Sequence, residues 1–295
     1  MTLSVRTRYF ACGFAALACV ATFGFGCAKQ PTATVPASQS VAGLKTASFE
    51  GVSPAEATKK LILTPSSVIV LRQNFSDAGE ALAASMGLGK SVERSLVIRR
   101  FAPGNMADID WKAQTTVQKG DKTENRQLVG SIAGIGLKDG RELLLPALWN
   151  EGIKNAGGLS AIWLSADVFE NINKAQASTL IAGIANAQTI DLMGLPKVVV
   201  EALKTVRTTL KTETAKKDIE YATSSAELGR MDVNANGSRI TVEVMNINTW
   251  YGKFAVLHNE QNPIILKFTP SKELESKGIA GFYGFEVTDF KDIQE

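Results

Sequence analysis

The chain has 295 residues, with 32 basic and 29 acidic side chains and a formal net charge of +3. This near balance gives no long-range positive field, so we expect no nucleic-acid partner. All three cysteines, Cys12, Cys19 and Cys27, lie near the amino terminus, which excludes a disulfide framework, a thiolate metal site and a cysteine nucleophile from the rest of the chain.

The first residues have the pattern of a secretory signal. Arg6 and Arg8 form a positively charged segment without acids, and the apolar run 9–26 that follows ends in small residues. The alternative is an uncleaved transmembrane helix, but the run is at the short limit for spanning a bilayer. We therefore predict that residues 1–26 are a signal peptide.

Cys27 stands directly after the apolar run and resembles the acylated cysteine of bacterial lipoproteins. Gly26 fits the pattern of that family, whereas Gly24 occupies a position where leucine is usual. Cys19 is a competing site, but acylation there would leave an apolar stub on the mature protein. The resemblance implies a membrane anchor of two or more acyl chains, palmitate among them, on Cys27.

The residues after Cys27 indicate a tether followed by a folded body. Ala28 is not the aspartate that retains enteric lipoproteins in the inner membrane, so the resemblance favours the outer membrane, facing the periplasm. Residues 27–48 are small, polar and proline-bearing, which predicts a flexible tether. Residues 49–295 are long enough for one large domain, or for two sub-domains with a boundary near residue 190.

The first part of the body has the pattern of short helices and strands. Ser53 and Pro54 suit the start of a helix that runs to Leu61. Apolar runs and glycine or proline stops then predict a strand at 67–72, a helix at 78–86 and a strand at 94–101, with loop and edge strand over the polar residues 104–127.

A hairpin and another helix are expected further along the chain. Asp139-Gly140 is a turn dipeptide between the apolar segments 132–135 and 142–145, which predicts that these two segments pair as a β-hairpin. Ser165 can cap a helix that follows it.

The second half of the body combines one long helix with closing strands. Apolar residues at spacings of four, three and four predict a long helix near 196–217. From Ile240 onward apolar residues alternate, which predicts antiparallel strands with Asn236-Gly237 at a turn. The order of elements indicates an α+β fold, with antiparallel sheets built of hairpins and a few helices.

The best motif match is a calcium-binding loop of the EF-hand type at Asp232, Asn234, Asn236 and Glu243. Such a loop needs oxygen ligands at alternating positions, a glycine for the sharp turn and a bidentate glutamate at the end. Arg239 places a cation beside the ion, and Glu243 lies in an alternating strand pattern rather than on a helix. The alternative is a plain hairpin with a type I′ turn.

Four aromatic residues fall at strand ends or beside turns: Trp149, Trp163, Trp250 and Tyr251. Aromatic side chains in such places can line a ligand groove. They can equally cap a sheet-on-helix core, and the sequence leaves both interpretations open.

The functional expectation comes mainly from what is missing. The single histidine, His258, follows an apolar strand, where a solvent-exposed turn position is expected rather than a catalytic or metal-binding one. We therefore expect a non-enzymatic envelope lipoprotein that binds a protein partner or a small ligand, or supports an envelope assembly. The alternatives are an envelope hydrolase that uses carboxylates and a calcium-stabilised binding module.

Overall fold

The computed structural model describes residues 45–74, 91–119, 122–146, 149, 151–182, 221–249, 251–272 and 284–294. The chain divides into two compact units, residues 1–38 and 39–295, and all described residues belong to the second. The predicted signal peptide, the acylation site Cys27, the helix at 78–86, the boundary near 190 and the long helix near 196–217 lie outside the described residues and stay predictions.

Two helices are described, and the sequence signals that start them are visible. Helix α1 spans Pro54–Lys60, and the hydroxyl of Ser53 accepts a hydrogen bond from the backbone N–H of Glu56, which confirms the predicted N-cap. Helix α2 spans Ala166–Ala175 and begins directly after Ser165, as predicted, but the hydroxyl of Ser165 forms no capping hydrogen bond.

The remaining described elements are strands. They are β1 (Val68–Asn74), β2 (Ser91–Ala102), β3 (Met106–Lys119), β4 (Lys122–Gly136), β5 (Glu142–Leu143), β6 (Gly152–Asn155), β7 (Ala177–Thr179), β8 (Ile181–Ala182), β9 (Tyr221–Ala235), β10 (Ser238–Thr249), β11 (Gly252–Leu257), β12 (Ile265–Pro270) and β13 (Gly284–Lys291). The fold is therefore mostly β-sheet with two helices, to which the predicted α+β class corresponds only in outline.

Eleven strands form one sheet in the order β6-β4-β3-β2-β1-β13-β12-β11-β10-β9-β7. Strand β13 also pairs in parallel with β9 at Asp289–Asn234 and Phe290–Ala235, so strands β9 to β13 close into a barrel-like ring. Strands β1 to β4 form an antiparallel meander that joins the ring where β1 pairs with β13. We refer to these two parts as the ring and the meander.

A single hydrophobic cluster runs through both parts. Inside the ring of strands, the aromatic side chains of Phe254 and Phe268 stack with their centroids 4.6 Å apart. The phenol group of Tyr251 contacts Phe254 edge-on. The phenol of Tyr251 donates a hydrogen bond to the carbonyl of Leu180, which lies between β7 and β8. Aromatic pairs of this kind add to the stabilisation that burial alone provides.

The body begins slightly before the predicted position. The N–H of Ala47 donates to the carbonyl of Ile293, and Ala47 is buried. The last residues assigned to the tether of residues 27–48 therefore pack against the end of the chain.

The interpretation of residues 104–127 as loop and edge strand is correct only in part. Residues 122–127 of β4 pair with β3 alone and so lie at an edge, whereas residues 106–114 of β3 are central, because they pair with both β2 and β4. Ala107, Ile109, Trp111 and Ala113 alternate with polar residues and are buried. The period of two is correct for a strand, but two of the four positions are alanines, whose weak hydrophobicity conceals the pattern.

The hairpin predicted around Asp139-Gly140 is wrong. Strand β4 pairs with β3 and β6, whereas β5 pairs in parallel with β8 in a separate two-stranded sheet. Gly140 is buried, and a Cβ there would lie 2.8 Å from the carbonyl oxygens of Gly136 and Gly158. The glycine thus permits a close approach of backbone segments rather than a tight hairpin.

Among the described residues, no helix combines the length and the apolar character that crossing a bilayer requires.

Candidate functional site

The candidate site is built around an arginine on the core face of the meander. In β2, Arg94 alternates in phase with Leu96 and Ile98, and all three are buried. Its cross-strand neighbours are Leu71 on β1 and Ala113 on β3, so its place in the sheet is surrounded by hydrocarbon. Arg94 is 0% exposed, which is unusual for a charged side chain that has no ion-pair partner among the described residues.

Gln73 and two tryptophans enclose the guanidinium of Arg94. Its Nε donates a 2.6 Å hydrogen bond to Oε1 of Gln73. Its Cζ lies 4.5 Å from the ring centroid of Trp111 and 5.9 Å from that of Trp149. Contacts of a cation with indole faces are attractive, and they gain strength where water is excluded.

The two tryptophans are held in place by the backbone around them. Trp111 lies opposite Gly130 across β3 and β4, and a Cβ on Gly130 would come within 2.6 Å of the indole. The indole therefore lies flat over a position that only glycine leaves open. The indole N–H of Trp149 donates a 2.9 Å hydrogen bond to the carbonyl of Leu144, and this bond fixes the orientation of the second indole.

The cluster of Arg94, Gln73 and Trp111 leaves several hydrogen-bond donors unused. Seven buried side-chain atoms of the described residues have no hydrogen-bond partner, and four of them are Nη1 and Nη2 of Arg94, Nε2 of Gln73 and Nε1 of Trp111. All four are N–H donors. Because an unsatisfied buried polar group costs free energy, such a concentration indicates a place where an acceptor belongs.

The site remains positively charged at neutral pH. Burial lowers the pKa of the Arg94 guanidinium from its ordinary range to about 9, because a cation is costly to keep away from water. A pKa of about 9 still leaves the group protonated at pH 7. Together, the four donor atoms and the charge form an anion-binding arrangement.

The predicted calcium ligands lie on the β9–β10 hairpin, where other groups already engage two of them. Oδ1 of Asp232 accepts a 2.7 Å hydrogen bond from Thr241, and Oδ2 pairs with Arg239 at 2.8 Å. These contacts, that of Thr241 first, lower the pKa of Asp232. Arg239 thus occupies one side of the carboxylate that a cation would approach.

The other predicted ligands point to different roles. The Asn236 amide donates to the carbonyls of Ala47 and Ile293 and accepts from the N–H of Ile293, so it ties both ends of the body together. Asn236 and Gly237 have positive φ angles of 49° and 81°, as a type I′ turn requires.

Asn234 and Glu243 lie opposite Arg239 and Arg230, respectively, across the β9–β10 pair. Among the described residues, no three His, Cys, Asp or Glu side chains come together as a metal site.

Two acids bear on the hydrolase alternative. Asp108 and Asp110 lie two residues apart on β3 and are largely shielded from solvent. Each is paired with an arginine: Arg100 contacts Asp108 at 2.8 Å, and Arg99 contacts Asp110 at 3.0 Å. Carboxylates that are each paired with an arginine in this way are typical of structural ion pairs.

The aromatic residues and the histidine have separate environments. Trp149 belongs to the candidate site, whereas Trp163 and Tyr251 donate hydrogen bonds inside the core, and Trp250 lies outside the described residues. His258 is partly exposed, and its Nε2 lies 3.2 Å from Oδ1 of Asn173. This histidine contact contains no acid and no nucleophile.

Sequence reasoning missed Arg94, Gln73 and Trp111. A signal for Arg94 was present, because its position is in phase with the apolar residues of the strand predicted at 94–101. Trp111 was hidden in the segment interpreted as loop. No family model, curated protein or solved structure matches the chain.

Proposed function

We propose that the protein is a lipid-anchored, non-enzymatic binding module of the cell envelope, and that its ligand carries an anionic group that binds Arg94. One observation carries this proposal: among the described residues, the buried Arg94 keeps Nη1 and Nη2 without an acceptor, and Nε2 of Gln73 and Nε1 of Trp111 beside it lack one as well. The sequence leaves open whether the ligand is a protein partner or a small molecule. The proposal adds that this ligand carries a negative charge.

The chemistry of the cluster supports binding rather than catalysis. A guanidinium, an amide and two indoles contain neither a nucleophile nor a group that exchanges protons near pH 7. What they provide is fixed positive charge and directed hydrogen bonds in a dry environment, where both are stronger than in water.

The anchor is the second part of the proposal and is supported by the resemblance of Cys27 to acylated cysteines. Cys27→Ser is expected to move the protein from the membrane to the soluble periplasmic fraction, whereas Cys19→Ser leaves it membrane-bound. The opposite result would identify Cys19 as the acylated residue. Fractionation of inner and outer membranes tests the expected outer-membrane location, facing the periplasm.

Anion binding is tested on the full chain in lipid nanodiscs, with empty nanodiscs as the blank. The probes are hexanoate, hexyl sulfate, hexyl phosphate and uncharged hexanol, and tryptophan fluorescence is the readout, because two indoles contact the guanidinium. At least one anion should bind saturably, and Arg94→Met should abolish that binding.

The matched control is Arg126→Met. It removes an exposed arginine of the same meander, on β4, that forms an ion pair with Glu151. It should leave binding unchanged. The proposal fails if no anion binds, or if Arg126→Met weakens binding as much as Arg94→Met does.

A further inference from the structure

We infer that the ligand is a monocarboxylate with an apolar body, and that its carboxylate binds end-on between Nη1 and Nη2 of Arg94. This inference rests on the proposed function, since it specifies which anion the site takes. Three independent features of the meander support it: the number of charges, the shape of the open donor edge and the hydrocarbon around it.

The number of charges favours a monoanion. Arg94 is the one buried basic side chain of the described residues, and the other buried polar residues among them are uncharged. A single carboxylate neutralises this charge. A phosphate monoester carries a charge of about −1.5 to −2 at pH 7, so it would leave excess negative charge in an apolar interior.

The open edge of the guanidinium has the shape of a carboxylate. Gln73 accepts from Nε, and the indoles of Trp111 and Trp149 contact the guanidinium, so the edge formed by Nη1 and Nη2 is the one left for a ligand. Two parallel N–H groups match the two oxygens of a carboxylate. Both Nη1 and Nη2 lack a partner among the described residues, so each can donate to one carboxylate oxygen.

The surroundings indicate what the rest of the ligand is made of. The cross-strand row through Arg94 consists of Leu71, Ala113 and Leu128, and Leu96 follows on the same face of β2; all four are buried. Arg94 therefore rises from a hydrocarbon face, and we infer that the body of the ligand is apolar to match it. Each methylene that the ligand buries there should raise the affinity about fourfold.

The experiment compares acids of increasing chain length with a phosphate of matched length. Acetate, butanoate, hexanoate, octanoate and hexyl phosphate are titrated against the full chain in nanodiscs by calorimetry and tryptophan fluorescence. We expect affinity to rise about fourfold per methylene from acetate to octanoate. Hexanoate should bind at least about tenfold more tightly than hexyl phosphate.

Two variants keep the test decisive if Arg94→Met does not fold. Arg94→Lys retains the charge but loses the bidentate edge, so hexanoate affinity should fall by about tenfold or more. Gln73→Glu supplies a carboxylate from the chain itself beside Arg94, so it should fold normally, raise the melting midpoint and abolish hexanoate binding.

Each other outcome has a definite meaning. Affinity that does not depend on chain length overturns the apolar body, and hexyl phosphate binding as well as hexanoate overturns the carboxylate while the anion site stands. Undiminished hexanoate binding by Gln73→Glu also overturns the inference. Absence of Arg94-dependent binding by any probe, including hexyl sulfate, removes the proposed function together with it.

Discussion

Two tryptophans in the core, Trp163 and Trp111, are buried to a similar extent, but they differ in whether the indole N–H has a hydrogen-bond partner. Both are almost completely buried, at 0% and 3% exposure. The indole N–H of Trp163 donates to Oδ1 of Asn262 at 3.0 Å, and Nδ2 of Asn262 donates in turn to the carbonyl of Leu61 at 2.8 Å. The indole N–H of Trp111, beside Arg94, has no partner among the described residues.

This difference distinguishes a structural hydrogen-bond network from a binding site. We call the network formed by Trp163, Asn262 and the carbonyl of Leu61 the lock. The lock joins three segments that are far apart in the sequence. The indole N–H of Trp163 and both polar atoms of the Asn262 amide have hydrogen-bond partners in it. The cluster around Arg94 has donors in excess, so it lacks the acceptor that would make it stabilising. Buried polar groups that are satisfied within the fold add stability, and those left open reduce it in exchange for affinity.

The largest expected effect tests the lock. Asn262→Leu leaves the indole N–H of Trp163 and the carbonyl of Leu61 without partners, and each unsatisfied group costs about 1–3 kcal/mol. We expect the free energy of unfolding, measured by urea denaturation, to fall by about 2–6 kcal/mol. A loss below about 1 kcal/mol would show that the lock contributes little and would remove the contrast with Arg94.

The opposite sign is expected at the other cluster. The double substitution Arg94→Met with Gln73→Leu removes the buried charge and its hydrogen-bond partner together. Replacing buried ions by apolar residues of similar size is often neutral or stabilising by about 1–4 kcal/mol. We expect the ligand-free variant to be more stable than the natural chain in urea denaturation. A clear loss of stability would contradict the interpretation of Arg94 as a residue retained for binding.

A matched pair of conservative substitutions sharpens the comparison at the tryptophans themselves. Trp163→Phe leaves Oδ1 of Asn262 unpaired, at a cost of about 1–3 kcal/mol beyond the loss of packing. Trp111→Phe loses similar packing but no hydrogen bond. The difference between the two variants in thermal unfolding therefore reports the hydrogen bond of Trp163 less the part of the Arg94 contact that Trp111→Phe weakens. Equal losses would contradict the contrast between the two tryptophans.

These contrasts show how far the sequence could predict the molecule. Helix α1 follows from its capping residue Ser53, and the alternating strands after Ile240 follow from apolar periodicity, both of which are local signals. Helix α2 begins at the expected residue, although the hydroxyl of Ser165 forms no capping hydrogen bond. The pairing of β5 with β8 and the closure of the ring through β13 and β9 join segments far apart in the chain, and no local pattern specifies them.

The candidate site could be predicted only in part. The phase of Arg94 within β2 marks it as inward-facing, and Trp149 was recognised as a residue that could line a groove. Gln73 and Trp111 join it through cross-strand register, at diagonal positions on the neighbouring strands β1 and β3. Register is set by the whole sheet, so it could not be read from any single segment.

The pH dependence of stability offers a further test of the buried charge. Burial lowers the pKa of Arg94 to about 9 in the folded chain, whereas the unfolded chain keeps this proton to a much higher pH. Above about pH 9 the unfolded state therefore binds more protons, so the contribution of Arg94 to the free energy of unfolding becomes more favourable as the pH rises.

The double variant Arg94→Met with Gln73→Leu lacks this titration. Its stability advantage over the natural chain should be constant below pH 9 and should shrink above it by about 1.4 kcal/mol per pH unit. Urea denaturation at pH 7, 8, 9 and 10 measures the gap. A gap that stays constant up to pH 10 would contradict the lowered pKa of Arg94, because both states would then keep the proton over this range.

The smallest expected effect concerns calcium at the β9–β10 hairpin. Thr241 and Arg239 already bind the Asp232 carboxylate, and the Asn236 amide holds Ala47 and Ile293, so these groups resemble the Trp163 lock more than the open Arg94 cluster. A ligand raises the melting midpoint only if it binds the folded state more tightly than the unfolded state. We therefore expect millimolar calcium to leave the midpoint unchanged, both in the natural chain and in Asp232→Asn. If calcium raises the midpoint of the natural chain but not that of Asp232→Asn, the hairpin is a calcium site, and hydrogen bonds within the fold are then no guide to which polar clusters of this protein bind ligands.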